Sequence, residues 1–119
     1  MQHEIELVDD DLAVIKVSRD LETGRRELVN QLRDSCRELI NEKSRNLIVD
    51  FEEVNICPSL VWGNLLVLSK QAKENQHKIC LCSLRPVLEK SVKVIGLNDY
   101  LQVYPDKSEA GKALREEDK

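Results

Sequence analysis

The chain has 119 residues, of which 41% are hydrophobic and 34% are charged. This balance is typical of a folded globular protein. It excludes a disordered segment, which is poor in apolar residues, and a membrane-spanning chain, which needs apolar runs of about 20 residues. The net charge is −4 and the basic residues are not clustered, so we expect no nucleic-acid binding.

The length fits one domain over residues 1–119, with a frayed, charged tail at residues 115–119. The sequence from Met1 to Glu4 lacks the basic region and apolar core of a secretory signal, and no apolar run is long enough to span a membrane. We therefore expect a cytoplasmic protein with no membrane contact.

Two strands joined by a turn are predicted first. Ile5–Val8 and Leu12–Val17 read as strands, and the acidic run Asp9–Asp11 between them favours a turn, because Asp hydrogen-bonds its own backbone there. Three successive carboxylates could also hold a divalent metal, but no further ligand lies at a supporting spacing. We predict neither a metal site nor a bound cofactor.

A helix and a central strand follow. From Glu22 to Glu42 the apolar residues recur at helical spacing, including Leu28, Leu32 and Leu39. Asn46–Phe51 is a nearly continuous apolar run, which is typical of a strand covered on both faces of a sheet.

Glu52–Pro58 is predicted to be a loop that leads into a second helix, with Ser59 as its N-cap. Gly63 lies early in this helix, where glycine costs about 1 kcal/mol relative to alanine. Its presence suggests that a neighbouring strand or a partner approaches closely there. The apolar stripe predicts that the buried residues of the helix are Val61, Leu65, Leu68 and Ala72.

The remaining elements alternate between strand and helix. They are a strand at Lys78–Leu84, a helix at Pro86–Ile95, a strand at Leu101–Tyr104 and a helix from a capping box at Asp106 to about Leu114. The order β-β-α-β-α-β-α-β-α predicts an α/β fold in which a mixed, mostly parallel sheet of about five strands carries about four helices. The third helix is expected to carry Val87, Ser91, Val92 and Ile95 on one face.

The cysteines show no Cys-x-x-Cys or zinc-ligand pattern. Cys80 and Cys82 lie two residues apart, so they point to one face of what we expect to be a half-buried strand. We expect these thiols to be small buried apolar groups in a reducing compartment. The four cysteines are Cys36, Cys57, Cys80 and Cys82.

Three segments together resemble the STAS domain, the fold of bacterial anti-sigma factor antagonists and of the cytoplasmic tails of sulfate transporters. Asn46–Ile56 (NLIVDFEEVNI) is similar to the family's strand and following loop. Cys57–Leu66 (CPSLVWGNLL) lies where the family usually shows iDSSGLGvLl. Ile79–Leu97 is similar to the next strand and helix, with the family's closing Gly-Leu at Gly96 and Leu97.

The resemblance implies a phosphorylation site. In antagonists of this family the anti-sigma factor is a kinase that phosphorylates a serine at this helix start, and the phosphate breaks the complex. By register that serine falls on Ser59, while the family's aspartate falls on Pro58 and a family glycine falls on Val61. The alternative is that Ser59 serves only as a helix cap. The partner-binding surface implied by the resemblance comprises Asn55, Cys57, Pro58, Ser59, Leu60, Trp62 and Gly63.

Trp62 follows Ser59 closely and is expected to be half exposed. Aromatic residues are enriched at interface centres, so Trp62 is a candidate contact for a partner; the alternative is that it packs in a core poor in aromatic residues.

The leading functional hypothesis is a regulatory binding module that docks an anti-sigma kinase through the Ser59 helix. The open alternatives are a scaffold subunit of a signalling assembly, a partner in a histidine kinase pathway, and a nucleotide-binding domain, although neither common phosphate-loop motif is present. We expect no enzymatic activity and no catalytic residues. The spacing Cys80-x4-Arg85 resembles an anion loop but contains no glycine, and no nucleophile is paired with a histidine. The oligomeric state is left open.

Overall fold

Five strands form one sheet in which the spatial order is the order along the chain. The computed structural model describes residues 3–43 and 45–117. The first two strands are antiparallel and every later pair is parallel, which gives the predicted mixed, mostly parallel sheet. The strands are β1 (Glu4–Leu7), β2 (Leu12–Lys16), β3 (Asn46–Asp50), β4 (Ile79–Cys82) and β5 (Gln102–Tyr104).

Helices cover both faces of this sheet. The main core contains residues of α1, α2 and α3, whereas the core on the opposite face contains Ala110 and Leu114 of α4. A π-helical turn, Glu38–Glu42, extends α1, and short 3-10 turns lie at Arg19–Thr23 and Leu97–Asp99. The predicted α/β fold and order of elements are confirmed. The helices are α1 (Arg26–Arg37), α2 (Ser59–Glu74), α3 (Pro86–Ile95) and α4 (Lys107–Glu117).

β3 is the centre of the fold, because all five of its residues are buried. Val49 lies between Ile15 of β2 and Leu81 of β4, and all three side chains are fully buried. A strand covered on both faces needs an apolar side chain on both, so its sequence loses the alternation of a half-exposed strand. The predicted central strand is confirmed.

β4 is also buried on both faces, so the half-buried strand expected around Cys80 and Cys82 is wrong. Ile79 and Leu81 face the main core, whereas Cys80 and Cys82 face the core under α4. The spacing of the two cysteines showed that they share one face of β4, but it did not show that α4 covers that face.

The first long helix begins at Arg26, four residues after the predicted start at Glu22. Glu22 and Thr23 belong instead to the 3-10 turn Arg19–Thr23, which Gly24 ends in the left-handed region at φ +72°. Glycine adopts this conformation without steric cost, so it separates the turn from α1.

The face of α3 predicted from Val87, Ser91, Val92 and Ile95 is buried at Val92 and exposed at Val87 and Ile95. Leu88 and Val92 are the buried residues of this helix, whereas Val87 is 68% exposed and Ile95 is 54% exposed. Apolar residues occur almost all round α3, so its spacing did not single out the face that meets the sheet.

At the carboxyl-terminal end, the N–H of Glu109 donates to Oδ1 of Asp106 at 2.8 Å, as expected for the predicted helix cap. α4 runs to Glu117, residues 118 and 119 lie outside the described residues, and the fraying expected for the tail stays a prediction. None of the helices in the described ranges combines the length and apolar character needed to cross a membrane.

α2 ends in a Schellman motif that contains no glycine. The N–H of His77 donates to the carbonyl of Ala72 at 2.8 Å, and the N–H of Gln76 donates to that of Lys73 at 3.0 Å. Gln76 occupies the left-handed position at φ +63°, where glycine is usual because a side chain is sterically disfavoured there. The motif turns the chain directly into β4.

We predict that Val49→Asp unfolds the protein. A carboxylate without a partner in the centre of the sheet costs several kcal/mol, on the order of the 5–15 kcal/mol that stabilises a typical domain. Val67→Asp is the matched control, because Val67 is 51% exposed on α2. Thermal melting followed by circular dichroism should show loss of the cooperative transition for Val49→Asp alone. A melting temperature near that of the wild type for Val49→Asp would contradict the position given to β3.

We predict that Gln76→Gly stabilises the protein by about 1 kcal/mol, because it relieves the left-handed conformation of a residue with a side chain. Urea unfolding measures the change in the free energy of unfolding. Asn75→Gly is the control, because Asn75 has a negative φ of −95° and gains no such relief. Equal effects of the two substitutions would argue against this account.

Candidate functional site

The loop after β3 is held by three side chains from two distant segments, the 3-10 turn at Arg19–Thr23 and the residue before α3. Nε of Arg19 donates to the carbonyl of Glu53 at 3.4 Å, and Nη2 of Arg85 donates to the carbonyl of Glu52 at 3.1 Å. The N–H of Asn55 donates to Oε2 of Glu22 at 2.6 Å. These restraints fix the loop before any partner binds, which lowers the entropy cost of binding.

Ser59 is the first helical residue of α2 rather than its cap, so the predicted N-cap is wrong. Pro58 holds the cap position with φ −64° and ψ 148°, and it makes no side-chain cap hydrogen bond. Proline fixes φ near −65°, which suits this extended residue, and the carbonyl of Pro58 accepts the N–H of Val61 at 3.0 Å. The Ser59 side chain is exposed, and within the described residues its hydroxyl makes no hydrogen bond.

Pro58 packs against the end of the 3-10 turn. A Cβ added to Gly24 would lie 3.5 Å from Cγ of Pro58, in van der Waals contact. Cys57 is partly buried beside it, and burial raises the pKa of its thiol to about 12. Pro58 and Cys57 belong to the predicted partner surface, but both are partly buried and support the loop, so they expose little surface to a partner.

Trp62 is buried, with only 3% of its surface exposed, so the expected half exposure is wrong. Its ring centroid lies 5.5 Å from that of Phe51 at an interplanar angle of 39°. Phe51 directly follows β3, so this contact joins the start of the loop to the first turn of α2. Trp62 is a core residue, and it does not reach a docked partner in this conformation.

The exposed residues around Ser59 form a partly apolar surface. Leu60 is 47% exposed and Ile56 is 63% exposed. The prediction from sequence missed Ile56, because a single apolar residue in a loop carries no periodic signal. We use the name Ser59 surface for the exposed residues Asn55, Ile56, Ser59, Leu60 and Gly63.

Gly63 has open space around it. A Cβ added there would meet no atom within 4 Å apart from the helix backbone and its chain neighbours. The suggestion that a neighbouring strand approaches Gly63 is therefore wrong, while approach by a partner stays a hypothesis.

The cysteines are poorly suited to nucleophilic chemistry. Burial raises the pKa of the Cys36 and Cys82 thiols to about 12, as it does for Cys57, so little thiolate forms at neutral pH. Cys80 is buried in β4, and Arg85 donates to the Glu52 carbonyl instead of completing an anion loop.

Among residues 3–43 and 45–117, no group of three or more His, Cys, Asp or Glu side chains is placed to hold a metal ion. Asp9 of the acidic turn lies 3.5 Å from Arg115, measured between the Asp9 carboxylate and the Arg115 guanidinium.

Comparison of the fold finds similar solved structures across nearly the whole chain. An anti-sigma-factor antagonist (STAS) domain protein from Planctomyces limnophilus has a TM-score of 0.82 at 21% identity, covering 97% of this chain and 99% of that one. The Bacillus cell fate determinant SpoIIAA in its phosphorylated form has a TM-score of 0.72 at 18% identity, covering 93% and 98%. A chain in the structure of the stressosome, a signal integration and transduction hub, has a TM-score of 0.74 at 19% identity, covering 95% and 96%.

At these identities the structures show a shared fold. The family itself is shown by sequence, since the family model for the STAS domain matches residues 7–110 and so includes β2 to β5 and the whole Ser59 surface. The chain belongs to the STAS domain family, and it shares its fold with an anti-sigma-factor antagonist domain protein and with a chain of the stressosome.

Proposed function

We propose that this protein is a regulatory binding module that docks an anti-sigma factor kinase through the Ser59 surface. The observation that carries the proposal is an exposed serine at the first residue of α2, between the exposed apolar side chains of Ile56 and Leu60. Exposed apolar groups on a preformed loop favour a protein partner, because docking removes them from water without first ordering the chain.

Phosphorylation of Ser59 would act as the switch. A phosphate adds close to two negative charges, and at the start of α2 it would lie near unpaired backbone N–H groups, which stabilise an anion. The folded module would therefore tolerate the phosphate. The partner would not, because the apolar contact at Leu60 would then have to bury a charge. SpoIIAA, which shares this fold, has been solved in a phosphorylated form.

Pro58 bears on how a kinase would recognise the site. A carboxylate at this position would offer a charged acceptor beside the serine, and proline offers neither a charge nor an N–H donor. This favours a second candidate function: a docking subunit of a larger signalling assembly whose binding does not depend on Ser59. The fold shared with a chain of the stressosome supports that candidate. In both proposals the protein acts by binding and not by catalysis, and the raised thiol pKa values support this view.

We predict that Ser59→Glu keeps the fold but weakens binding of the partner by about tenfold or more, which corresponds to roughly 1.4 kcal/mol. The matched control is Ser108→Glu, which places the same charge at another exposed position near a helix start, in α4. Wild type and both variants are used as bait in native extract, and the bound proteins are quantified by mass spectrometry.

The first proposal expects a kinase that wild type and Ser108→Glu retain and Ser59→Glu loses. The same kinase should transfer labelled phosphate from ATP to wild type and not to Ser59→Ala. Equal recovery of one partner by all three baits, with no phosphate transfer, would overturn the switch and leave the constitutive docking subunit.

We predict that Gly63→Ala stabilises the free protein by about 1 kcal/mol, since it adds a better helix former in open space. If a partner packs closely on α2, the added methyl group should also weaken its binding several-fold. Thermal melting and a binding titration with the recovered partner separate the two effects. Unchanged affinity in the stabilised variant would exclude Gly63 from the interface.

A further inference from the structure

A cavity of about 440 Å³ lies at the opposite end of α2 from the Ser59 surface. It is lined by the last turns of α2, the starts of β4 and β5, and Leu114 of α4. Its volume falls within the range of roughly 300–1,000 Å³ that is typical of small-molecule sites. Ser59 and Lys73 are separated by roughly 20 Å along the helix at 1.5 Å per residue, so the cavity is distinct from the docking surface.

The charge of the lining is opposite to that of the chain. The chain carries 22 acidic and 18 basic residues, yet the described residues that line the cavity include Lys73, Lys78 and His77 and no Asp or Glu. Nζ of Lys70 lies 5.8 Å from the ring centroid of Tyr100, another lining residue, and adds a further positive charge at the rim. A positive concave site in an acidic protein attracts anions.

Lysines near the end of α2 can be explained without a bound anion, because cations are favoured at helix C-termini. That explanation covers Lys70 and Lys73 but not Lys78, which lies beyond the helix at the start of β4. The partial negative charge of the helix end is also reduced, because the carbonyls of Ala72 and Lys73 accept N–H groups in the Schellman motif. The full charges on the lysines therefore dominate the cavity.

The rest of the lining favours an organic ligand over a bare ion. Tyr100 and Tyr104 line the cavity together with Ile79 and Leu114, and these side chains provide flat and apolar surface beside the cations.

We propose that this cavity binds a small organic anion in which a phosphate or carboxylate group is joined to a flat ring. Lys73 and Lys78 pair with the anionic group, and the ring lies against Tyr100 and the apolar floor. Neither contact involves the Ser59 surface, so this inference stands or falls separately from the proposed function.

The test is a titration of the ¹⁵N-labelled protein with phenyl phosphate, followed by the chemical shifts of the backbone amides. Saturable shifts are expected in residues 73–80 and 100–104 and not around Ser59. Inorganic phosphate and benzyl alcohol, which supply the charge or the ring alone, should each bind about fivefold more weakly or worse, because each loses one set of contacts.

Lys73→Glu and Lys78→Glu should each weaken binding of phenyl phosphate by about fivefold or more, because each replaces attraction with repulsion. Lys90→Glu, on α3 outside the lining, makes the same change of charge and should alter affinity by less than about twofold, since distant exposed charges are screened by salt. All three lysines are exposed, so the variants should fold. Scattered or non-saturable shifts, equal binding of inorganic phosphate, or an equal loss in Lys90→Glu would each overturn the proposal.

Discussion

Burial of β3 on both faces is the constraint on which the rest of the structure depends. Every residue of this strand is buried, and Leu47, Ile48 and Val49 lie in the two cores, so β3 itself exposes no side chain to a partner. Exposed groups near β3 therefore lie in the loop that follows it. The loop after β3 leads from this buried strand directly into the Ser59 surface, and binding residues are often found on such loops.

The loop after β3 is held by contacts with residues that are distant in the sequence. Arg19, Glu22 and Arg85 bond its backbone from positions about thirty residues away. Phe51 and Trp62 close its base by packing their rings together. The two aromatic supports are buried, whereas the hydrogen bonds from Arg19, Glu22 and Arg85 lie at the surface. A substitution at Trp62 would act on the shape of the surface and not on a direct contact.

α2 connects two different environments. Its amino-terminal end presents a serine and apolar groups, which suit a protein partner, whereas its carboxyl-terminal end borders a positively charged cavity, which suits a small anion. α2 packs on β4 and α1, and its buried residues run from Val61 to Ala72. The two proposed sites therefore lie at opposite ends of one packed helix and share no residue.

The sequence by itself determined the order of elements, the central strand and the buried stripe of α2. These depend on hydrophobic patterning, which acts locally and is written along the chain. It also placed Ser59 at a helix start, since proline and the apolar stripe mark that boundary within a few residues. The resemblance carried by the segment from Asn46 to Leu66 was enough to suggest the family.

Only the tertiary structure decided which groups are exposed. Trp62 is buried because Phe51 lies against it, Val87 is exposed because the sheet meets the other face of α3, and Cys80 is buried because α4 covers the far side of β4. The cap at Pro58 and the cavity beside Lys73 and Lys78 likewise depend on backbone geometry and on segments distant in sequence. Hydrophobic periodicity predicts the face of a helix or strand on which a residue lies, but packing between elements decides whether that face is buried.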